Sequence, residues 1–337
     1  MASPDLQFVV GGIEPPESVE FAEFLARVDS EYSESLPVLA SDRVALREEI
    51  RAIYGQVLDD CYILHDGAAE AINWAAETID AGLEGTPDDD AFHTYHVLLR
   101  GLAAKSLLTF DEVLVLVEAG HREGAIARVR TMYELFVVAA VICLRGNPSA
   151  DHPELVERFL AHREAFRRSD AGALLLTGLE SAQEVIDAEV VGALDVRHAK
   201  LAERYGKPFM RNWGWAAPLF PGENSVSFAK LVDLIEPAFA YFYPALSAAV
   251  HAGSAGWHDS IEEHGDAQTF KAYPDADGLG FPIELATFLL LVTIDTVVPV
   301  VIEAEGTEKD VTGANFLGAL RARRNRISTA LEAVPHA

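Results

Sequence analysis

Apolar residues recur at three- and four-residue spacing through nearly every segment of the chain, and no stretch alternates apolar with polar residues as a half-wet strand would. That period gathers the apolar residues of each segment onto one stripe of a helix, and such a stripe needs another helix to cover it. The predicted fold is all-α, a multi-helix bundle. At 337 residues the chain can bury a large core in one domain or two.

Local signals divide the helices. A first helix is expected from Ser18 to about Ser30, directly after Pro15 and Pro16. A second starts at Ser41, a good N-cap, and runs toward Leu58; it continues or breaks before a third that ends near Ala81. The stretch from Gly82 to Asp90 combines glycine, proline and an acidic run and reads as a linker. It separates an N-terminal helical segment, 1–85, from a main helical domain, 91–333.

In the main domain, helices over about 91–118 and 123–144 are joined by Ala119-Gly-His-Arg122, a turn short enough to make them an antiparallel pair. Helices near 153–168 and 179–205 follow. From Gly206 to Gly222 the pattern gives way to an irregular, aromatic-rich loop containing Trp213, Trp215 and Phe220. Pro237 and Pro244 each predict a break, with a short helix from Pro244 to about His251. The apolar run from Leu285 to Ile302 approaches the length of a membrane span, but it carries Asp295 and has acidic, not basic, flanks in Glu284 and Glu303. A buried core helix is the expectation, with Asp295 against a polar partner. A last helix carries Arg321, Arg323, Arg324 and Arg326.

Charge restricts the partners. A net charge of -27 disfavours broad capture of nucleic acid, while leaving room for a local basic pocket. Two cysteines far apart, Cys61 and Cys143, make neither a disulfide framework nor a zinc motif. The first residues lack the basic start and apolar run of a signal peptide. The cytoplasm is the expected location, with no membrane partner.

Two segments place polar groups in apolar surroundings. Arg130 and Glu134 lie one turn apart in the first, and Tyr243, Ser247 and His251 form a stripe in the second. Buried polar groups need partners, so the five are expected to meet as a structural network or as the floor of a site.

With Trp213-Gly-Trp215 between these two segments, the order of motifs resembles a bacterial family of uncharacterised helical proteins, domain-of-unknown-function family 5677. The resemblance covers roughly 91–302 and implies that Arg130, Glu134, Tyr243, Ser247 and His251 belong to one constellation. Such families look distantly similar to the helical HEPN ribonucleases, which cut RNA with an Arg-x(4–6)-His motif. Here the only match by spacing is Arg145 to His152, which falls in a turn and not on a helix.

Several chemistries fit the candidates. His251 has the titration range of a general acid or base, with Ser247 one turn back; a histidine at a helix C-terminus is also stabilised by the dipole alone. Arg130, steadied by Glu134, could hold a phosphate or carboxylate; such a pair is also an ordinary intrahelical bridge. Lys207, Arg211, Trp213 and Trp215 suggest a loop over the cluster that walls a pocket for a small anionic ligand. The alternative for the tryptophans is a plug at the bundle end or a homodimer interface. Glu118 with His121, Asp195 with His198, His93 with His96 and Cys61 with His65 have metal-like spacings, yet none completes a set of four ligands. No cofactor motif occurs.

The expected function is a binding, sensor or interaction module in a stress or defence setting, taking a small anion or a protein partner. The alternative is a metal-independent ribonuclease acting through His251 and Arg130.

Overall fold

The computed structural model describes residues 19–83, 90–177, 186–248, 261–264, 267–270, 273–304 and 311–334. The architecture is all-α and multi-helical, with α1 (Val19–Leu83), α2 (Asp90–Glu118), α3 (Arg122–Arg145), α4 (Glu154–His162), α5 (Arg167–Leu176) and α6 (Ala188–Tyr205) in chain order. Short helices α7 (Phe228–Asp233) and α8 (Phe242–Ala248) come next, and then α9 (Gly280–Ile294), α10 (Val298–Ala304) and α11 (Val311–Glu332). Among the described residues one hairpin interrupts them: β1 (Ile261–His264) pairs antiparallel with β2 (Ala267–Phe270), Ile261 opposite Phe270 and His264 opposite Ala267. Strands of four residues are too short to show an alternating pattern, so the sequence reading passed over them.

Contacts divide the chain into Met1–Glu49 and Ile50–Ala337. The division falls inside α1, whereas the linker reading puts it near residue 85; residues 84–89 lie outside the described residues.

The helices expected up to Ala81, written as two or three, correct to one. α1 runs through Ser30 and Ser41 with Pro37 inside it, so Ser41 caps nothing. Proline withholds one backbone donor, but no residue from 19 to 49 is buried, and water can serve the carbonyl that loses its partner.

In the larger unit α2 and α3 pack side by side, reversed through Gly120, whose φ of 75° suits glycine. α9 lies against both. Their shared core includes Leu99, Phe110, Val113, Val137, Ile142, Leu289 and Leu290, each at most 0 % exposed. The apolar run expected as one helix is two, because Pro299 cannot donate to the carbonyl of Asp295 and the chain turns between α9 and α10. By length and composition Gly280–Val301 would cross a bilayer, but 72 % of it is buried within the protein. Asp295 ends α9 and accepts from Arg321 Nη2 at 3.0 Å, the polar partner expected for it.

The basic last helix spends its charge internally. Arg323 and Arg326 converge on Asp60 of α1, while Arg324 bonds Glu284 and lies over Phe288.

Candidate functional site

α3 is the axis of the site. Its middle is apolar nearly all round, yet Arg130 and Glu134 break that surface on the side that faces α8. Arg130 Nε donates to Glu134 Oε1 at 3.3 Å, and Nη2 donates to the Tyr243 hydroxyl at 3.3 Å. The guanidinium carbon lies 5.3 Å from the Tyr243 ring centroid, within cation–π range. The Arg130 side chain is 16 % exposed and that of Glu134 34 %, so the pair is reachable from solvent without being solvated.

Aromatic rings build the walls. Phe228, at the start of α7, meets Tyr133 edge-on at 5.5 Å, Tyr243 at 5.2 Å and Trp213 at 5.1 Å. Ser227 caps α7 by accepting from Lys230 N, which fixes where Phe228 enters. Tyr133 donates to the Phe239 carbonyl at 2.8 Å, and burial pushes its hydroxyl up to about 12, with Asp233 and Tyr243 adding to the effect. It is a neutral structural donor.

The loop expected over 206–222 is two short 3₁₀ turns, Lys207–Met210 and Gly214–Leu219. Between them Trp213 sits at φ 59°, a left-handed conformation that costs an aromatic residue on the order of 1 kcal/mol. A clamp from α4 holds the strained turn. Arg158, 8 % exposed, donates to the carbonyls of Trp215 at 2.9 Å and Gly214 at 3.2 Å, with Tyr205 and Phe209 each 5.1 Å from its guanidinium. Burial lowers its pKa, yet a guanidinium stays charged. Gly214 is required here: an added Cβ would stand 2.3 Å from the Pro208 carbonyl oxygen.

The structure thus sorts the candidates. Arg130, Glu134 and Tyr243 are joined directly, and Trp213 reaches them through Phe228. Ser247 lies one turn beyond Tyr243, and its buried hydroxyl has no hydrogen-bond partner among the described residues. His251 lies outside the described residues. Trp215 is 1 % exposed and edge-on to Phe159, so it plugs the interior and lines no open wall. Lys207 and Arg211 stay exposed; Arg211 lines a separate cleft with Phe166, Met210 and Val226, and its carbonyl accepts from His162 at 3.0 Å.

Arg158, Phe228 and Gly214 escaped the sequence reading. The signal for Arg158 was an arginine among Leu155, Val156 and Phe159 on a short helix, a polar group on an apolar face.

Other candidates resolve as structure. The Arg145 carbonyl accepts from His152 N at 3.2 Å in a turn, and the His152 ring pairs with Glu154. Glu118 accepts from Arg51 at 2.7 Å. Among the described residues no three His, Cys, Asp or Glu converge as a metal site would need. His96 is buried, its Nε2 meets no partner among the described residues, and its pKa falls to about 4, chiefly through burial and further through Arg100.

The model of a family of unknown function, DUF5677, matches residues 96–268, a span that holds every part of this site. No curated protein and no solved structure matches.

Proposed function

The chain belongs to this family of unknown function, and from its own residues we propose that it is a binding or sensor module whose recognition centre is the Arg130–Glu134–Tyr243 group. The observation that carries the reading is a guanidinium held in one orientation from two sides, at 3.3 Å by a carboxylate and at 3.3 Å by a phenol, at the edge of an aromatic wall. Prepositioned arginine suits a phosphate or carboxylate because its fork presents parallel donors. A small anion with a planar part fits: the charge goes to Arg130, the plane goes against Trp213. The unpartnered Ser247 hydroxyl supports the same reading, since an unmade buried hydrogen bond costs about 1–3 kcal/mol that a ligand can recover. The sequence holds two cysteines, Cys61 and Cys143, far apart and too few for a disulfide framework, which supports a reducing cytoplasm as the place of action.

Titrating nucleotides and small phosphates while following tryptophan emission and heat tests this. A shift in emission is expected, with affinity about tenfold or more weaker in Arg130→Ala, the loss of one charged hydrogen bond. Silence across the panel, or binding indifferent to Arg130→Ala, would overturn the proposal. Incubation with total RNA and tRNA is the companion measurement. Cleavage that disappears in His251→Ala would replace the binding reading by a ribonuclease.

A further inference from the structure

Residues 19–49 of α1 present an unusual surface. Thirty-one residues at 1.5 Å rise make a rod about 46 Å long, and none of them is buried. Yet the rod is rich in large apolar side chains: Phe24 is 48 % exposed, Leu25 43 %, Tyr32 67 %, Leu36 62 %, Val38 59 % and Leu39 41 %. Among the described residues nothing covers these six side chains, an unusual state for apolar groups on one helix.

A seven-residue rule runs along the arm, apolar throughout at its first position and apolar only in the first half at its second, with Phe24, Leu36 and Val38 flanking the seam. Leu25, Tyr32, Leu39 and Leu46 recur every seven residues, and Phe21, Val28, Ser35 and Asp42 recur three residues after the preceding member of that set or four before the next. That is the a and d seam of a coiled coil. Pro37 falls at the outward f position, where a missing backbone donor meets only water.

We propose that a second copy of this chain covers the seam, the two arms pairing antiparallel as a two-stranded coiled coil. Charge selects the direction. The first half of the arm holds Glu20, Glu23, Asp29, Glu31 and Glu34 against Arg27, whereas the second half holds Arg43 and Arg47 among its acids. Parallel arms would set acid half on acid half and Asp42 against its own copy in the seam, which is costly. Antiparallel arms lay the acidic half over Arg43 and Arg47 and bring Phe21 to Leu46 and Val28 to Leu39 of the second copy. The area suffices. The six side chains named above expose on the order of 500 Å² per arm, so two arms bring together about 1,000 Å², the lower bound for a specific interface.

Light scattering on the eluting full chain at tens of micromolar tests the proposal. A dimer is expected, turned to monomer by Leu39→Glu and retained by Val44→Glu, which lies on the outward face. Unchanged far-UV circular dichroism in the fold region, judged by the unfolding midpoint, separates loss of pairing from loss of structure. Mixed Phe21→Cys and Leu46→Cys proteins should crosslink to each other on mild oxidation, and Leu46→Cys should not crosslink to itself. A monomeric wild type, a dimer that survives Leu39→Glu, or self-crosslinking through position 46 would overturn it.

Discussion

His96 shows how much one buried group can hold. It is 1 % exposed near the start of α2, stacked on Phe92 at 6.4 Å, and Nε2 meets no partner among the described residues. Burial and Arg100 favour the neutral ring and draw its pKa from 6.5 to about 4. The folded protein therefore binds fewer protons here than the unfolded chain between those values. Stability from this residue is fully present above pH 6.5 and is lost as pH falls toward 4, by on the order of 3 kcal/mol in all at 1.36 kcal/mol per unit. Urea midpoints of wild type and His96→Leu at pH 7.5 and pH 5 check this. The wild type should lose more on acidification than the variant, and equal losses would show that the ring is hydrated after all. The same logic makes Cys61 inert: burial, with Asp60 and Glu284 nearby, drives its thiol pKa upward and away from the reactive thiolate.

At the scale of elements, the Arg158 clamp and the 3₁₀ turn stand or fall together. Gly214→Ala should be strongly destabilising, because its Cβ would meet the Pro208 and Phe209 carbonyl oxygens at 2.3 and 2.6 Å and backbone must move. Gly55→Ala, inside α1 with nothing within 4 Å, should stabilise by up to about 1 kcal/mol. Near-UV circular dichroism should record loss of the Trp213 and Trp215 environment only in the first variant. Why the two glycines differ was not legible in the sequence, since the carbonyls that crowd Gly214 come from a turn that no periodicity announces. The bounds of α2 and α3 were legible, because Gly120 ends one and Gly146 the other. So were Arg130, Glu134 and Tyr243, polar residues at helical spacing on apolar segments. Ser41 misled, since a cap-type residue marks a helix start only where the chain before it is not already helical. Arg158 was obscure for a different reason: its partners are carbonyls 56 and 57 residues away, and a carbonyl has no signature in sequence.

For the molecule as a whole the central electrostatic fact is a net charge of -27 beside a set of arginines on α11 that pair with acids of the same chain. Exposed acids repel one another, and salt screens that repulsion over about 10 Å at 0.1 M. The arginines of α11 act differently. Arg323 and Arg326 share Asp60, whose side chain is 7 % exposed, and so tie the end of the chain to α1. Removing Asp60 leaves two cations, 25 % and 58 % exposed, which can still find water, so the cost should fall at or below the roughly 3–5 kcal/mol of a fully buried broken pair. Arg321→Ala breaks a more exposed pair with Asp295, at 55 % and 29 %, and should cost under about 1 kcal/mol. Urea unfolding at 0.05 M and 0.5 M salt distinguishes the two contributions. Salt should stabilise the wild type by relieving acid repulsion, and Asp60→Ala should lower the midpoint by a similar amount at both concentrations, because salt penetrates a buried pair poorly. A penalty for Asp60→Ala that vanishes at 0.5 M would mean that α11 is held by surface attraction alone, and its apolar face, with Leu317, Leu320 and Ile327 buried, would then have to carry the docking.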